Sequence, residues 1–285
     1  MIIDTSTDVP DYTYGKKYNK ENEMAQESGN LIIEKTPLDI CIADIGQYEN
    51  ADYALLRKTG LGASDSSAVL GVNPYTSRQD LISEKCRTYL TEEEKGVGDK
   101  VAVRKGNELE PFVINKFQTV FGVRTIKPKD MYALKEFPFL HINFDGVTNT
   151  PDQYIPAEIK IVTTYGEKHY DKYKAFYRDP YGFDNRPEDV STRNWSIQEK
   201  AEFYGIPPYY YTQLQQEMLC LDAPYGYLSS LWDREWRMYT YYVWRDEAVQ
   251  HAIITEGYKV WQTILERRRP DWHITVGSAS TSTEL

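Results

Sequence analysis

Residues 141–162, "HINFDGVTNTPDQYIPAEIKIV", hold two short apolar runs, each carrying a carboxylate that a buried strand does not ordinarily accommodate. The first run leads to Asp145 and Gly146, and the second places Glu158 and Lys160 on either side of Ile159. Alternate residues of a strand point to opposite faces, so Glu158 and Lys160 share one face and Ile159 turns to the other. A carboxylate and an ammonium in a strand that otherwise reads as core are costly unless they pair or hold a metal. Two converging carboxylates can hold Mg²⁺, a hard cation that prefers oxygen ligands. Such an ion lowers the pKa of a bound water and neutralises charge on a phosphate under attack, and Lys160 can orient that water. An isolated E-x-K is an ordinary ion pair on a strand face, so the flanking sequence decides between the two readings.

Upstream, "RKGNELEPFVINKFQTVFG" predicts a helix with Leu109, Phe112, Val113, Phe117 and Val120 on one apolar face. Glu110 lies within it, beside Pro111, as a third carboxylate for the site. Downstream, "PPYYYTQLQQEMLCLDA" predicts a helix opened by Pro207 and Pro208, with Tyr211, Gln215 and Met218 sharing a face.

With these neighbours the chain resembles the lambda exonuclease/YqaJ family of viral recombinases, a branch of the PD-(D/E)XK nucleases. The motifs that carry the resemblance run in order: "RKTGLGASDSSAVLGVNPYTSRQDLISEK", "GNELEPFV", "FDGV", "EIK" and "YYYTQLQQEM". They span residues 55–245. The resemblance implies an α/β fold of restriction-endonuclease type, a central mixed β-sheet flanked by α-helices. It implies a Mg²⁺-dependent deoxyribonuclease, with Mn²⁺ able to substitute, acting as a 5′ to 3′ exonuclease on duplex DNA in phage-type recombination. Asp145 and Glu158 would ligate the ion with the carbonyl of Ile159, and Glu110 directly or through water. Lys160 would position the attacking water, and Gln215 would hold Lys160 or that water. Arg57 and Ser64 would bind a terminal 5′ phosphate; an arginine fork matches phosphate, and Ser64 stands before a helix start whose free N–H groups favour anions. Asn143 and Tyr211 complete the expected substrate contacts. The resemblance also implies a homo-oligomer, often a trimeric ring, and a single-strand annealing protein as partner. An endonuclease or single-strand nuclease with the same site, and a non-catalytic DNA-binding or assembly protein, are the alternatives.

Two departures stand out. Asn143 and Phe144 precede Asp145 where many relatives carry a small hydroxyl or a proline, a change that bears on end specificity. Residues 165–206 form a long polar and aromatic insertion, readable as a substrate lid, a partner surface or a disordered excursion.

At 285 residues with 41% hydrophobic content, the chain suits one sizeable domain, placed at 46–275. Residues 1–45 read as a polar N-terminal extension, and 276–285 as a disordered tail. No run approaches the roughly 20 apolar residues a membrane span needs, and no signal-peptide pattern opens the chain, so the expected location is the cytoplasm of the host cell. Cys41, Cys86 and Cys220 are too few and too scattered for an iron–sulfur cluster, and His141, His169, His251 and His273 lack zinc spacing. The net charge of −10 opposes non-specific DNA binding, which relies on neutralised phosphates. Basic clusters at Arg57 and Lys58, at Lys100, Arg104 and Lys105, and at Arg267–Arg269 offer a local track, with the acidic residues concentrated away from the proposed site, as in "TEEEK" and the first fifty residues. The 24 tyrosines read mostly as packing residues rather than base-stacking ones.

The expected elements are helices at 53–58, 64–70, 77–85 and around Glu110, then strands at 131–134, 140–147 and 154–162. The Pro207 helix follows, then strands in "PYGYLSSLW" and "WRMYTYYVWRD" joined at Asp233 and Arg234, and a last helix from Glu247 to Arg268.

Overall fold

The computed structural model describes residues 38–43, 51–95, 100–128, 130–134, 136–150, 153–162, 187–233 and 236–268. The strands among these residues form two sheets. One holds β1 (Leu38–Ala43), β4 (Met131–Leu134), β5 (Leu140–Ile142) and β2 (Leu61–Gly62), in that order. The other holds β3 (Arg124–Ile126), β6 (Val147–Asn149), β7 (Tyr154–Val162), β8 (Tyr225–Trp232) and β9 (Arg237–Trp244). Between β5 and β6 the chain passes from the first sheet to the second, and Asp145 lies in that passage. The single strand expected over 140–147 is therefore two strands, because consecutive residues serve different ladders.

Within the second sheet β7 and β8 are parallel, with Glu158 opposite Leu228 and Lys160 opposite Ser230, while the remaining pairings are antiparallel. Parallel neighbours cannot be joined by a tight turn and need a crossover. Residues 163–224 make it, and its described part contains two helices, Ile197–Tyr204 and Pro208–Leu221. Part of the predicted insertion is thus a topological requirement of the sheet. In chain order the helices are α1 (Ala51–Leu56), α2 (Ser66–Val69), α3 (Arg78–Cys86), α4 (Glu92–Lys95), α5 (Val101–Phe121), α6 (Ile197–Tyr204), α7 (Pro208–Leu221) and α8 (Glu247–Arg268).

The period-two pattern of β7 sorts its side chains onto two helices. Ile159 packs with Val113 and Ile114 of α5 and with Leu231 and Met238. On the opposite face Pro156 lies beside Leu214 of α7, across the backbone of Gly226. Glu158 and Lys160 therefore face α7. Ser77 caps α3 by accepting from Asp80 N–H at 3.1 Å, and Gly122, at φ 64°, ends α5 in a left-handed turn.

Several expectations change. Leu38–Ala43, inside the stretch read as an extension, forms β1 and pairs with β4. The rest of 1–45, residues 165–186 and the tail 276–285 lie outside the described residues. The expected basic track is partly turned inward: Lys58 is buried against Glu94 at 2.8 Å, and Arg268 donates to the carbonyls of Lys58 and Lys85, while Lys100, Arg104 and Arg267 stay exposed and Lys105 pairs with Asp233. Glu94 comes from the acidic run, part of which folds as the short helix Glu92–Lys95. Among the described residues no helix is long and apolar enough to cross a membrane.

Candidate active site

Glu158 is 1% exposed at the centre of the sheet, and its Oε1 receives the Lys160 ammonium and the Gln213 amide. Asp145 reaches the same place from the passage between sheets, where its Oδ2 accepts the Ile159 N–H at 3.0 Å and lies 3.8 Å from Lys160 Nζ. Gly146 makes this approach possible: a Cβ there would stand 3.1 Å from the Ala157 carbonyl and 3.0 Å from Thr125, so a side chain would push Asp145 away from β7.

These groups line a cleft of about 230 Å³ that also holds Arg57, Ser64, Asn143, Tyr53 and His141. Arg57 donates to Ser64 Oγ at 3.3 Å. The turn that brings them together is clamped by buried Lys85, which donates to the Arg57 carbonyl and to Asp65 Oδ2, both at 2.8 Å. Gly60 is extended, at φ −167°, so its need for glycine is one of space: a Cβ would meet the His141 ring at 2.4 Å. Packing is thus the role of His141, and burial followed by the charge of Lys85 lowers its pKa to about 4.

Two residues expected in the site lie elsewhere. Gln215 is fully buried, donating to the Trp244 carbonyl at 2.9 Å and accepting from Asp246 N–H at 2.8 Å. Tyr211 donates to Asp246 Oδ2 at 2.9 Å, beside the buried Lys200–Asp246 ion pair. Both belong to a polar network that ties α6 and α7 to the start of α8. Two residues along a helix turn a side chain by roughly 200°, and the face toward β7 instead carries Tyr210, Gln213 and Glu217. Gln213 Nε2 also lies 3.3 Å from Glu217 Oε1. Glu110 takes a peripheral place; it pairs with Lys127 and does not line the cleft, yet burial and then the charge of Asp145 raise its pKa.

Glu217, like Gln213, is a site residue that sequence reasoning missed. It is 1% exposed and its carboxyl lies in hydrogen-bond contact with that of Glu158. Two carboxyl groups bond to each other only when one carries a proton. Burial, then the charge of Glu158, holds Glu217 well above the ordinary carboxylate range. Burial, then the charge of Asp145, raises Glu158 to about 7. Burial opposes the charge of Lys160, but Glu158 and Asp145 outweigh it and hold that pKa well above the usual lysine value.

The sign for stability follows. A carboxyl whose folded pKa is raised keeps its proton in the folded chain after the unfolded chain has released it, so metal-free stability falls as pH rises from the ordinary carboxylate range toward about 7. Glu217→Gln removes one such carboxyl and keeps a donor toward Glu158. In chelator, its melting temperature at neutral pH is expected to exceed that of the unchanged chain by roughly 2–4 °C, the shift one kcal/mol brings in a domain of this size. Its decline between about pH 5 and about pH 8 should be shallower. Superimposable melting curves across that range would remove Glu217 from the site's electrostatics.

The donors fit a hard cation. Glu158 and Asp145 offer oxygens that repel one another when both are ionised. Among the described residues, no three or more His, Cys, Asp or Glu side chains are arranged to hold a metal ion, so an ion held by Asp145 and Glu158 would need a main-chain oxygen and water as further ligands.

A family model, the YqaJ-like viral recombinase domain, matches residues 52–224. Similar solved structures include LHK-Exo, an alkaline exonuclease from Laribacter hongkongensis, at 16% identity and a TM-score of 0.54, covering 77% of this chain and 94% of that one. The same exonuclease in complex with dAMP gives 17% identity, a TM-score of 0.53 and the same coverage. No curated protein matches the sequence. The mixed sheet between helices is the restriction-endonuclease-like fold of PD-(D/E)XK nucleases, and the chain belongs to the YqaJ-like viral recombinase family.

Proposed function

We propose that the protein is a metal-dependent deoxyribonuclease that removes nucleotides from duplex ends in the 5′ to 3′ direction during phage-type recombination. The observation that carries this reading is a single cleft lined by Arg57, Ser64 and Asn143 together with Asp145, Glu158 and Lys160. Family membership and the shared fold support it. Asp145, Glu158 and the Ile159 carbonyl would hold Mg²⁺ or Mn²⁺, with Glu110 acting through water. Bound there, the ion supplies a water of lowered pKa and a counter-charge for the phosphate. Lys160, held charged by its two carboxylates, orients the attacking water and stabilises charge on the phosphate. Gln213 fixes the rotamer of Glu158 in the place expected of Gln215. Arg57, with Ser64, receives a terminal phosphate, for which its planar fork is suited.

The test is digestion of end-labelled duplexes bearing 5′ phosphate, 5′ hydroxyl or covalently closed ends, with and without Mg²⁺. Mg²⁺-dependent shortening from open 5′ ends is the expected result. Arg57→Ala should slow it roughly tenfold to hundredfold on phosphate ends, the scale of a lost charged hydrogen bond, and little on hydroxyl ends. Equal losses would make Arg57 a general backbone contact, and efficient cutting of closed circles by the unchanged protein would favour the endonuclease reading.

A further inference from the structure

Three tyrosines lead outward from Lys160. Its ammonium lies 5.2 Å from the ring centroid of Tyr210, Tyr210 meets Tyr209 at 4.4 Å, and Tyr209 meets Tyr75 edge-on at 5.8 Å. Tyr209 and Tyr210 are half-buried, and Tyr75 is 61% exposed. The loop carrying Tyr75 is well held. Asn73 donates to Ser67 Oγ at 2.9 Å, and its Oδ1 accepts the N–H groups of Tyr75 at 2.8 Å and Thr76 at 3.0 Å. The fold thus fixes in place an aromatic ring that it leaves largely in water, separated from Lys160 by the rings of Tyr209 and Tyr210.

We infer that Tyr75, Tyr209 and Tyr210 form a stacking site for unpaired nucleobases of the strand whose phosphate lies at Asp145 and Glu158. The inference rests on the nuclease reading of that cleft and adds the form of the substrate, a locally unpaired strand. Every base has a π-face, so stacking retains a strand without regard to sequence or charge. That suits a chain of net charge −10 in which Lys58 and Arg268, two residues of the expected basic track, are turned inward. Tyr210, already under the Lys160 ammonium, sets the inner limit of the site, and Tyr75 is its outer ring.

The test measures binding, in chelator, of a fluorescent single-stranded oligonucleotide and of a blunt duplex to the full chain. Tyr75→Ala is expected to weaken strand binding roughly fivefold to hundredfold, the effect of one lost base–aromatic stack, with blunt duplex binding unchanged. Tyr75→Trp should restore it. The slope of log affinity against log salt should be the same for all three proteins, because no phosphate contact is lost. An abasic nucleotide at the stacked position should erase the difference between Tyr75→Ala and the unchanged chain. Equal strand affinities for the two proteins, or an altered salt slope, would overturn the inference. Because the readout is binding, it is separable from the nuclease reading, which fails instead if the unchanged protein shows no Mg²⁺-dependent cleavage.

Discussion

Glu158→Ala and Asp145→Ala are each expected to lower cleavage by roughly 10³-fold or more, since each removes an oxygen ligand from a site with few others. Asp145 also receives the Ile159 N–H, so its loss frees a strand donor in the largely buried passage between sheets, where only water entering from the cleft can satisfy it. Removing the buried Glu158 leaves Lys160 and Gln213 without their shared acceptor, and Glu158→Gln is the gentler variant. Calorimetric titration with Mg²⁺ or Mn²⁺ should show the binding signal lost in both alanine variants, while circular dichroism shows the fold retained. Full activity in either one at saturating Mg²⁺ would end the metal-site assignment.

Lys160→Ala should lower turnover by roughly 10² or more, the scale of one lost electrostatic or proton-transfer contributor, without weakening metal binding. The direction of the second effect separates two roles. Lys160 now shares Glu158 and Asp145, and a cation beside a cation site disfavours the incoming ion. Its removal should therefore leave Mg²⁺ affinity unchanged or tighter. If calorimetry instead shows binding lost with Lys160, that residue shapes the site rather than acting in the reaction.

The parts of the fold that could be read in the sequence are those whose side-chain pattern is imposed by burial on one face. Tyr154–Val162 and Met131–Leu134 match their expected bounds, and the triad of Asp145, Glu158 and Lys160 lies together, because alternation in a strand leaves only two choices of face. Helix α7 offers no such contrast. It is buried from Tyr211 to Leu221 except at Gln213, so apolar spacing cannot show which side meets the sheet. Choosing Tyr211 and Gln215 picked the side facing Asp246. The usable signal was Glu217, a lone carboxylate in a buried helix, four residues beyond Gln213. Short strands escaped for another reason: β2 and β3 span two and three residues and exist only through their partners, His141 and its neighbours for one, Val147–Asn149 for the other. The −10 net charge was a sound constraint, but lysine and arginine counts could not show that Lys58 and Arg268 are turned inward.

The parallel pairing of β7 with β8 has a consequence for the timing of assembly. Glu158 and Gln213 are 55 positions apart, joined by the whole of the crossover, and such distant partners meet only after its closure entropy has been overcome. A chain leaving the ribosome thus displays Asp145, Glu158 and Lys160 well before the helix that fixes their geometry exists. A nascent or truncated chain holds the reactive groups without their alignment, so cutting ability arrives only with the finished fold.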